Sequence, residues 1–206
     1  MHAAKASEGR RPAVFLDRDG VLIEDVDLMT RPDQVRLLDG VAAAIAAIQS
    51  LDLAVIVVTN QAVVARGLCS EDDVRAVHTH IEKELVSLGA ARPDGFYFCP
   101  HHPHANIEAY RTQCECRKPS PGMLSQAALE HHIDLANSFM IGDRPTDVLA
   151  GHRASCTTIL LRTGLEEAPL IVGASRAELV PADHTCDSLL DAVRIIEAHH
   201  HRSPAP

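Results

Sequence analysis

Short apolar runs alternate with amphipathic segments along the chain, and this alternation restricts the possible folds more than any other feature of the sequence. Residues 13–16, 53–58 and 138–141 are largely apolar runs of the length that favours buried strands. Between such runs, apolar residues recur at helical spacing, for example over residues 41–51. This alternation predicts a doubly wound, Rossmann-like α/β fold in which helices cover both faces of a parallel sheet.

The same patterns predict the elements of one domain spanning residues 12–198. A length of 206 residues and an apolar share of 46% are ordinary values for such a domain. The termini, 1–11 and 199–206, are expected to be flexible. The predicted strands are 13–16, 53–58, 95–98, 138–141 and 157–161, with a further element at 180–186, and the predicted helices are 41–51, 71–88, 121–131, a segment after 147, and 188–198.

Charge and composition exclude several classes of partner. The net charge is −9 and aromatic residues make up only 3% of the chain, whereas a non-specific nucleic-acid binder needs a basic groove with stacking rings. No run approaches the roughly 20 apolar residues that cross a bilayer, and the polar start, residues 1–11, lacks the apolar core of a signal peptide. We therefore expect a cytoplasmic protein without nucleic-acid or membrane partners, and nothing demands more than a monomer.

Polar side chains follow three of the predicted strands at the points where the strands end. In a parallel sheet these ends lie at one edge, where ligands bind near the switch point. Any one of these residues could simply cap a turn or a helix, but their conjunction, with basic side chains nearby, favours a site. The residues concerned are Asp17 and Asp19, Thr59 and Asn60, and Asp143 and Asp147, with Arg117 and Lys118 as the cations.

A segment rich in cysteine and histidine follows the third predicted strand. Cys99, Cys114 and Cys116 lie within eighteen residues, and in a reducing compartment such clustering favours a metal site over disulfides. Together with one histidine they supply the four ligands of a closed tetrahedral zinc site, which would be structural rather than catalytic. On composition alone His101, His102 and His104 compete for the fourth position, and Cys69, Cys156 and Cys186 stand apart as bystanders.

The ordered motifs resemble those of the haloacid dehalogenase-like phosphohydrolases. The resemblance is carried by Asp17-Arg-Asp-Gly-Val21, Thr59-Asn-Gln61, Lys118 and Gly142-Asp143 with Asp147. It implies a phosphatase in which the first aspartate is the nucleophile that forms an aspartyl-phosphate and the second is the general acid and base.

The family resemblance also implies the roles of the remaining site residues. Mg²⁺ would bind the carboxylates of Asp17 and Asp143 and the main-chain carbonyl of Asp19, as hard oxygen ligands suit this ion. Thr59 and Asn60 would hydrogen-bond the phosphoryl oxygens, and Lys118 would neutralise their charge. Two interpretations remain open for Asp147, which either orients Lys118 or metal-bound water, or only caps the following helix.

The cysteine-rich segment resembles the zinc-bearing branch of this family, which acts on heptose 1,7-bisphosphate or histidinol phosphate. The similar stretches are Cys99-Pro-His-His-Pro103, Cys114-Glu-Cys-Arg-Lys-Pro119 and Pro121-Gly-Met123. The resemblance selects Cys99, His101, Cys114 and Cys116 as zinc ligands, with His102 as second choice for the histidine. It implies a small phosphorylated sugar as substrate and a zinc loop, 99–116, that directs Arg117 toward it.

Two stretches depart from that branch and leave the substrate open. Val26-Asp-Leu28 and Ala62-Val63 stand where the branch usually has His-Gly-Tyr-like and Ser-Gly residues. Only nineteen residues separate Gly20 from Gly40, too few for a cap domain, so loops must recognise the substrate. Asp25 is a candidate for a sugar hydroxyl or else a solvated loop carboxylate. An inactive zinc-stabilised binding protein is the alternative outside enzymes, and the complete set of site residues argues against it.

Overall fold

The computed structural model describes residues 9–163 and 180–200 of the chain, as a parallel six-stranded sheet with helices on both faces. The strands are β1 Ala13–Leu16, β2 Ala54–Asn60, β3 Gly95–Cys99, β4 Phe139–Gly142, β5 Thr157–Leu161 and β6 His184–Cys186. The helices are α1 Val41–Ser50, α2 Ala62–Ala65, α3 Glu71–Ser87, α4 Gly122–Glu130, α5 Pro145–Arg153 and α6 Leu189–His200. The predicted parallel sheet and its covering helices are confirmed.

The strand order, β3-β2-β1-β4-β5-β6, places β1 at the centre of the sheet. The chain builds outward from β1 through β2 to β3 and then returns to the other side of β1 with β4. Leu16 at the end of β1 pairs with Val57 of β2 and with Ile141 of β4. The loops after these three strands therefore meet at the switch point of the sheet.

The central strands β1, β2 and β4 bury side chains on both faces, which explains their continuous apolar runs. Val14 and Leu16 belong to one core cluster together with side chains of α1, α3 and α6, whereas Ala13 and Phe15 belong to the opposite cluster with side chains of α4 and α5. Alternate residues of a strand point to opposite faces. A parallel strand that is buried on both faces is therefore apolar at nearly every position.

Three details add to the predicted elements. Helix α6 continues through His200, and Arg11 forms a bridge with Ile133 and pairs with Asp94. Strand β6 occupies His184–Cys186 within the element predicted at 180–186, and the side chain of Asp183, just before it, accepts a hydrogen bond from the main chain of Thr158. Residues 1–8 and 201–206 lie outside the described part of the chain.

Within residues 9–163 and 180–200, no helix combines the length and the apolar character that a membrane span requires.

Candidate active site

Three aspartate carboxylates converge at the carboxyl ends of β1 and β4. Asp17 follows β1, Asp143 follows β4, and Asp147 lies in the first turn of α5. All three are buried, and oxygens of the three carboxylates lie within 4.8 Å of one another. Adjacent parallel strands bring the first two together, and the helix that begins immediately after β4 adds the third.

Two glycines make room for these carboxylates. At Gly20, whose φ is +76°, a Cβ atom would lie 2.2 Å from a carboxylate oxygen of Asp143. At Gly142, a Cβ atom would lie 2.2 Å from the Cβ of Asp147. A larger residue at either position would therefore push an acid out of the cluster, and the glycine at Gly20 also accommodates the left-handed backbone.

Lys118 supplies the positive charge inside the acidic cluster. Its Nζ lies 2.9 Å from Oδ2 of Asp17 and 2.6 Å from Oδ1 of Asp147, and it donates a hydrogen bond to the carbonyl of Val58 at 2.9 Å. The side chain is only 2% exposed. Although burial opposes the charge, the two carboxylates outweigh it and raise the pKa of Lys118, so the ammonium stays protonated.

Asp147 performs both of the roles that the sequence left open. Its Oδ1 is in ion-pair contact with Lys118, while its Oδ2 accepts a hydrogen bond from the main-chain N–H of Arg144 at 3.1 Å, at the start of α5. One carboxylate thus caps a helix and holds the lysine.

The cluster holds three buried carboxylates and one ammonium. The pKa values of Asp17 and Asp143 are raised in these surroundings. Burial, with the nearby charge of Asp147, raises the pKa of Asp17 to about 6 even though Lys118 opposes the shift. Burial, followed by the charges of Asp17 and Asp147, raises the pKa of Asp143 to about 7. Each shift therefore results first from burial of the carboxyl group and then from the negative charge of its neighbours.

The donor set of this cluster fits a hard divalent cation. Oδ1 of Asp143 is buried and has no hydrogen-bond partner among residues 9–163 and 180–200. An uncompensated buried carboxylate oxygen is costly unless a cation or donor meets it. Carboxylate oxygens are also the ligands that Mg²⁺ prefers.

Asp19 lies outside the acidic cluster and is held by neutral and cationic donors. Nη2 of Arg18 donates to both of its oxygens, at 2.9 and 3.0 Å. Its Oδ2 also accepts from Nε2 of Gln61 at 2.9 Å, with Oγ1 of Thr59 at 3.4 Å. Asp19 is the most exposed acid of the motif, with 22% of its side chain accessible, so its carboxylate lines the cavity.

The structure places Asn60 differently from its expected role toward phosphoryl oxygens. Its side-chain Nδ2 donates to the carbonyl of Lys118, and its Oδ1 accepts from the main-chain N–H of Lys118, both at 3.0 Å. The amide is therefore occupied in fixing the backbone of the lysine. Thr59 is 1% exposed, and its hydroxyl accepts from Gln61 at 2.8 Å.

A cavity of about 360 Å³ opens above these residues. Asp17, Asp19, Asp143 and Lys118 line it together with the basic side chains Arg66, His102 and Arg117. The predicted candidate Asp25 also lines the cavity, where its Oδ2 accepts a hydrogen bond from Nη2 of Arg144 at 2.6 Å. That ion pair ties the loop after β1 to the start of α5.

Three further residues of the site, Gln61, Arg66 and Arg18, are not singled out by the sequence patterns. Gln61 closes the Thr59-Asn-Gln61 motif, so its position after β2 is a signal that was present in the sequence. Arg66 follows the short helix α2, which occupies a stretch expected to be a loop. Arg18 lies between the two motif aspartates, yet its side chain is 1% exposed and turns into the protein.

The four predicted zinc ligands come together beyond the end of β3. The Sγ atoms of Cys99, Cys114 and Cys116 are separated by 2.9 to 3.4 Å, and Nδ1 of His101 lies 3.4 Å from Sγ of Cys116. These separations exceed a disulfide bond of about 2.05 Å, so the thiols are not linked, and the four ligand atoms lie within 4.8 Å of one another. Three thiols and one imidazole are a donor set typical of structural zinc. His102 does not join this group; its ring accepts from the main-chain N–H of His104.

The zinc loop, residues 99–116, is tied to the cavity by specific hydrogen bonds. Nη1 of Arg117 donates to the carbonyl of His101 at 3.2 Å. The main-chain N–H groups of Asn106 and Ile107 donate to the carbonyl of Ala65, in the segment that carries Arg66, at 3.0 and 3.1 Å. The loop therefore positions two cavity arginines.

Comparisons with known proteins find several similar sequences. Residues 115–192 match the family model described as HAD-hydrolase-like. A curated protein of Rhodopseudomonas palustris named D-glycero-beta-D-manno-heptose-1,7-bisphosphate 7-phosphatase is 46% identical over 149 residues, which are 72% of this chain and 82% of that protein. A protein of the same name from Yersinia pestis is 37% identical over 190 residues, 92% of this chain and 97% of its own.

Two solved structures are also similar to this chain. A putative HAD-like phosphatase from Mesorhizobium loti superimposes with a TM-score of 0.78 at 30% identity, covering 96% of this chain and 91% of its own. A D,D-heptose 1,7-bisphosphate phosphatase from B. bronchiseptica, solved with magnesium and phosphate, gives a TM-score of 0.75 at 31% identity over 91% of this chain and 98% of its own.

Proposed function

Since this chain belongs to the haloacid dehalogenase-like hydrolases and is a phosphatase, we propose that it hydrolyses a phosphomonoester through an aspartyl-phosphate on Asp17. The observation that carries the proposal is the contact between the buried ammonium of Lys118 and the carboxylate of Asp17, 2.9 Å apart at the edge of the cavity. A pKa of about 6 leaves Asp17 ionised at neutral pH, as a nucleophile must be.

In the first half of the reaction, a carboxylate oxygen of Asp17 attacks phosphorus and the bond from phosphorus to the substrate oxygen breaks. Asp19 gives a proton to that leaving oxygen. In the second half, water attacks the phosphorus of the aspartyl-phosphate, Asp19 takes a proton from the water, and the carboxylate of Asp17 is released with inorganic phosphate. Lys118 offsets the negative charge on the phosphoryl oxygens throughout, and the hydroxyl of Thr59 is the proposed donor to them.

Mg²⁺ is the proposed catalytic cofactor. The carboxylates of Asp17 and Asp143 and the main-chain carbonyl of Asp19 would hold it. Oδ1 of Asp143 supports this assignment, because it has no hydrogen-bond partner among the described residues and meets only the guanidinium of Arg144, at 3.9 Å. When bound, the ion supplies positive charge beside the phosphoryl group and the nucleophile, which otherwise repel each other. Zn²⁺ is the proposed structural metal, held by Cys99, His101, Cys114 and Cys116.

For the substrate, we propose D-glycero-D-manno-heptose 1,7-bisphosphate, cleaved at the 7-phosphate. The names of the relatives support it, and so does the cavity, which carries Arg66 and Arg117 in addition to Lys118. A bisphosphate needs a second cationic contact away from the reacting phosphate. Asp25 lines this cavity and is hydrogen-bonded to Arg144. We propose that its carboxylate also contacts hydroxyl groups of the sugar. We propose a monomer that acts in the cytoplasm, without nucleic-acid or membrane partners and without a separate cap domain.

The test is phosphate release from a panel with Mg²⁺ present, comparing wild type with Asp17→Asn. The panel contains both anomers of heptose 1,7-bisphosphate, histidinol phosphate and several sugar monophosphates. We expect activity in wild type, none in Asp17→Asn, and the highest kcat/KM on one heptose anomer. Retained activity in Asp17→Asn would refute the mechanism, whereas a preference for histidinol phosphate or a monophosphate would refute only the substrate.

A further inference from the structure

The guanidinium of Arg18 is a buried charge beside the active site. The side chain is 1% exposed and packs inward from the loop after β1. Its Nε and Nη2 donate to the carboxylate of Asp19, at 3.2 and 2.9 Å for the nearer oxygen. A buried guanidinium needs partners for its remaining N–H groups, and Nη1 points away from Asp19.

The partner of Nη1 is a histidine from helix α3, sixty residues along the chain. Nε2 of His78 lies 3.4 Å from Nη1 of Arg18, and both side chains are buried. Burial, with the positive charges of Arg18 and Arg75, lowers the pKa of His78 to about 3. The imidazole is therefore neutral, and with its proton on Nδ1 it can accept a hydrogen bond at Nε2.

Strand β3 fixes the ring of His78. The ring stacks on Phe96 with centroids 4.8 Å apart and meets the edge of Phe98 at 5.8 Å. Phe96 and Phe98 are two residues apart and so lie on the same face of the strand. A ring held on two sides has little freedom, so its Nε2 is a fixed acceptor for the guanidinium.

From this arrangement we propose that His78 is a positioning residue that, through Arg18, holds the carboxylate of Asp19 where it delivers a proton to the leaving group. The proposal rests on the proposed function, because it assigns a task to the acid of that reaction. Without an acceptor at residue 78, Nη1 of Arg18 loses its buried partner. The guanidinium that is hydrogen-bonded to Asp19 is then free to rotate. Nε2 of Gln61 and Oγ1 of Thr59, at 2.9 and 3.4 Å, would then hold only Oδ2 of the two carboxylate oxygens.

The leaving group provides a readout that a structural role would not change. p-Nitrophenolate leaves without protonation, whereas the alkoxide of glycerol phosphate needs a proton from the acid. The ratio of kcat/KM for glycerol phosphate to that for p-nitrophenyl phosphate therefore reports on the acid, because kcat/KM covers only the steps through leaving-group departure. A general loss of folded enzyme or of phosphate binding lowers both values together.

The experiment measures this ratio in wild type, His78→Phe, His78→Met and His78→Gln with Mg²⁺ present. We expect Phe and Met, which fill the space without a nitrogen acceptor, to lower the ratio by about tenfold or more, a part of the 10²–10⁴ that a general acid contributes. Gln, which keeps an acceptor, should restore most of it. His80→Phe is the matched control on the same helix, since His80 contacts Glu84 rather than the site, and should leave the ratio unchanged.

Each outcome separates the two proposals. Active wild type with an unchanged ratio in both His78→Phe and His78→Met overturns the role of His78 and leaves the phosphatase mechanism intact. An equal loss on both substrates, not rescued by Gln, assigns His78 to folding alone and also overturns the proposal. If wild type cleaves neither substrate nor any member of the sugar-phosphate panel, the proposed function fails and the role of His78 fails with it.

Discussion

The side-chain amide of Asn60 and the main chain of Lys118 exchange two hydrogen bonds, each 3.0 Å long. The residues are 58 positions apart, at the end of β2 and immediately after the zinc loop. The pair joins the central sheet to the segment that delivers the buried ammonium. Lys118 is therefore located by its backbone as well as by the acids that surround its side chain.

Asn60→Ala should lower both stability and kcat. Two hydrogen bonds lost from a partly buried site cost about 1–2 kcal/mol in the free energy of unfolding, and a displaced Lys118 should lower kcat. Thermal unfolding and phosphate release measure the two effects. Asn137→Ala is the control, because Asn137 is exposed and bonds only to Asp134 in the described hydrogen bonds. Full activity in Asn60→Ala would show that the ion pairs alone locate the lysine.

The raised pKa values of Asp17 and Asp143 predict how stability depends on pH in the absence of Mg²⁺. Both carboxyls bind protons more tightly in the folded state, at about 6 and 7, than in the unfolded chain, at about 4. Their contribution to stability is therefore present below pH 4 and is lost as pH rises through 6 and 7. Tm measured in magnesium-free buffer should show this loss between pH 5 and 7.5.

Added Mg²⁺ should reverse that loss, because an ion that binds only the folded, ionised cluster stabilises it. Asp143→Asn should flatten the pH dependence and abolish the response to Mg²⁺. An Asp143→Asn protein that still gains Tm with Mg²⁺ at pH 7.5 would place the ion elsewhere.

Cys114→Ser should release zinc and lower Tm. The serine hydroxyl replaces one of three thiolates in the cluster with Cys99 and Cys116, and a structural zinc site contributes folding free energy directly. Metal analysis of the purified protein and a thermal scan are the measurements, with about one zinc per chain expected in wild type. Cys69→Ser is the control, since Cys69 lies apart from the cluster and should keep its zinc. Full zinc retention in Cys114→Ser contradicts the ligand assignment.

The convergence of Asp17 and Asp143 could be predicted from the sequence. The contacts that orient the side chains around them could not. Asp17 and Asp143 each follow a buried run, and parallel strands bring such ends to one edge, so local patterns determine their proximity. The contact between His78 and Arg18 depends on how α3 packs against β3, and no local pattern encodes it. The same holds for Asn60, whose place in the motif indicates a polar contact but not that the contact is the backbone of Lys118.

Arg66→Ala should distinguish a bisphosphate from a monophosphate substrate. The side chain lines the cavity and is anchored through the zinc loop, where Nδ2 of Asn106 donates to its carbonyl at 3.1 Å. Loss of a charged contact to a second phosphate should raise KM for heptose 1,7-bisphosphate by about tenfold or more, with KM for a sugar monophosphate nearly unchanged. Arg92→Ala, at an exposed position away from the cavity, is the control. Equal changes in KM for both substrates would show that Arg66 does not bind the second phosphate.

Asp147→Asn separates the two tasks of that residue. The amide oxygen of asparagine still accepts from the N–H of Arg144, so the start of α5 remains capped and Tm should fall by only a few degrees. The charge of Asp147 that faces Lys118 is lost, however, so Asp17 becomes the one carboxylate paired with the ammonium among the described residues, and the stronger pull of the ammonium on this nucleophile should lower kcat by about tenfold or more. Asp147→Ala removes the cap as well and should lose more stability. If kcat stays at the wild-type value in both variants while only Asp147→Ala loses Tm, the carboxylate serves α5 only and takes no part in holding Lys118.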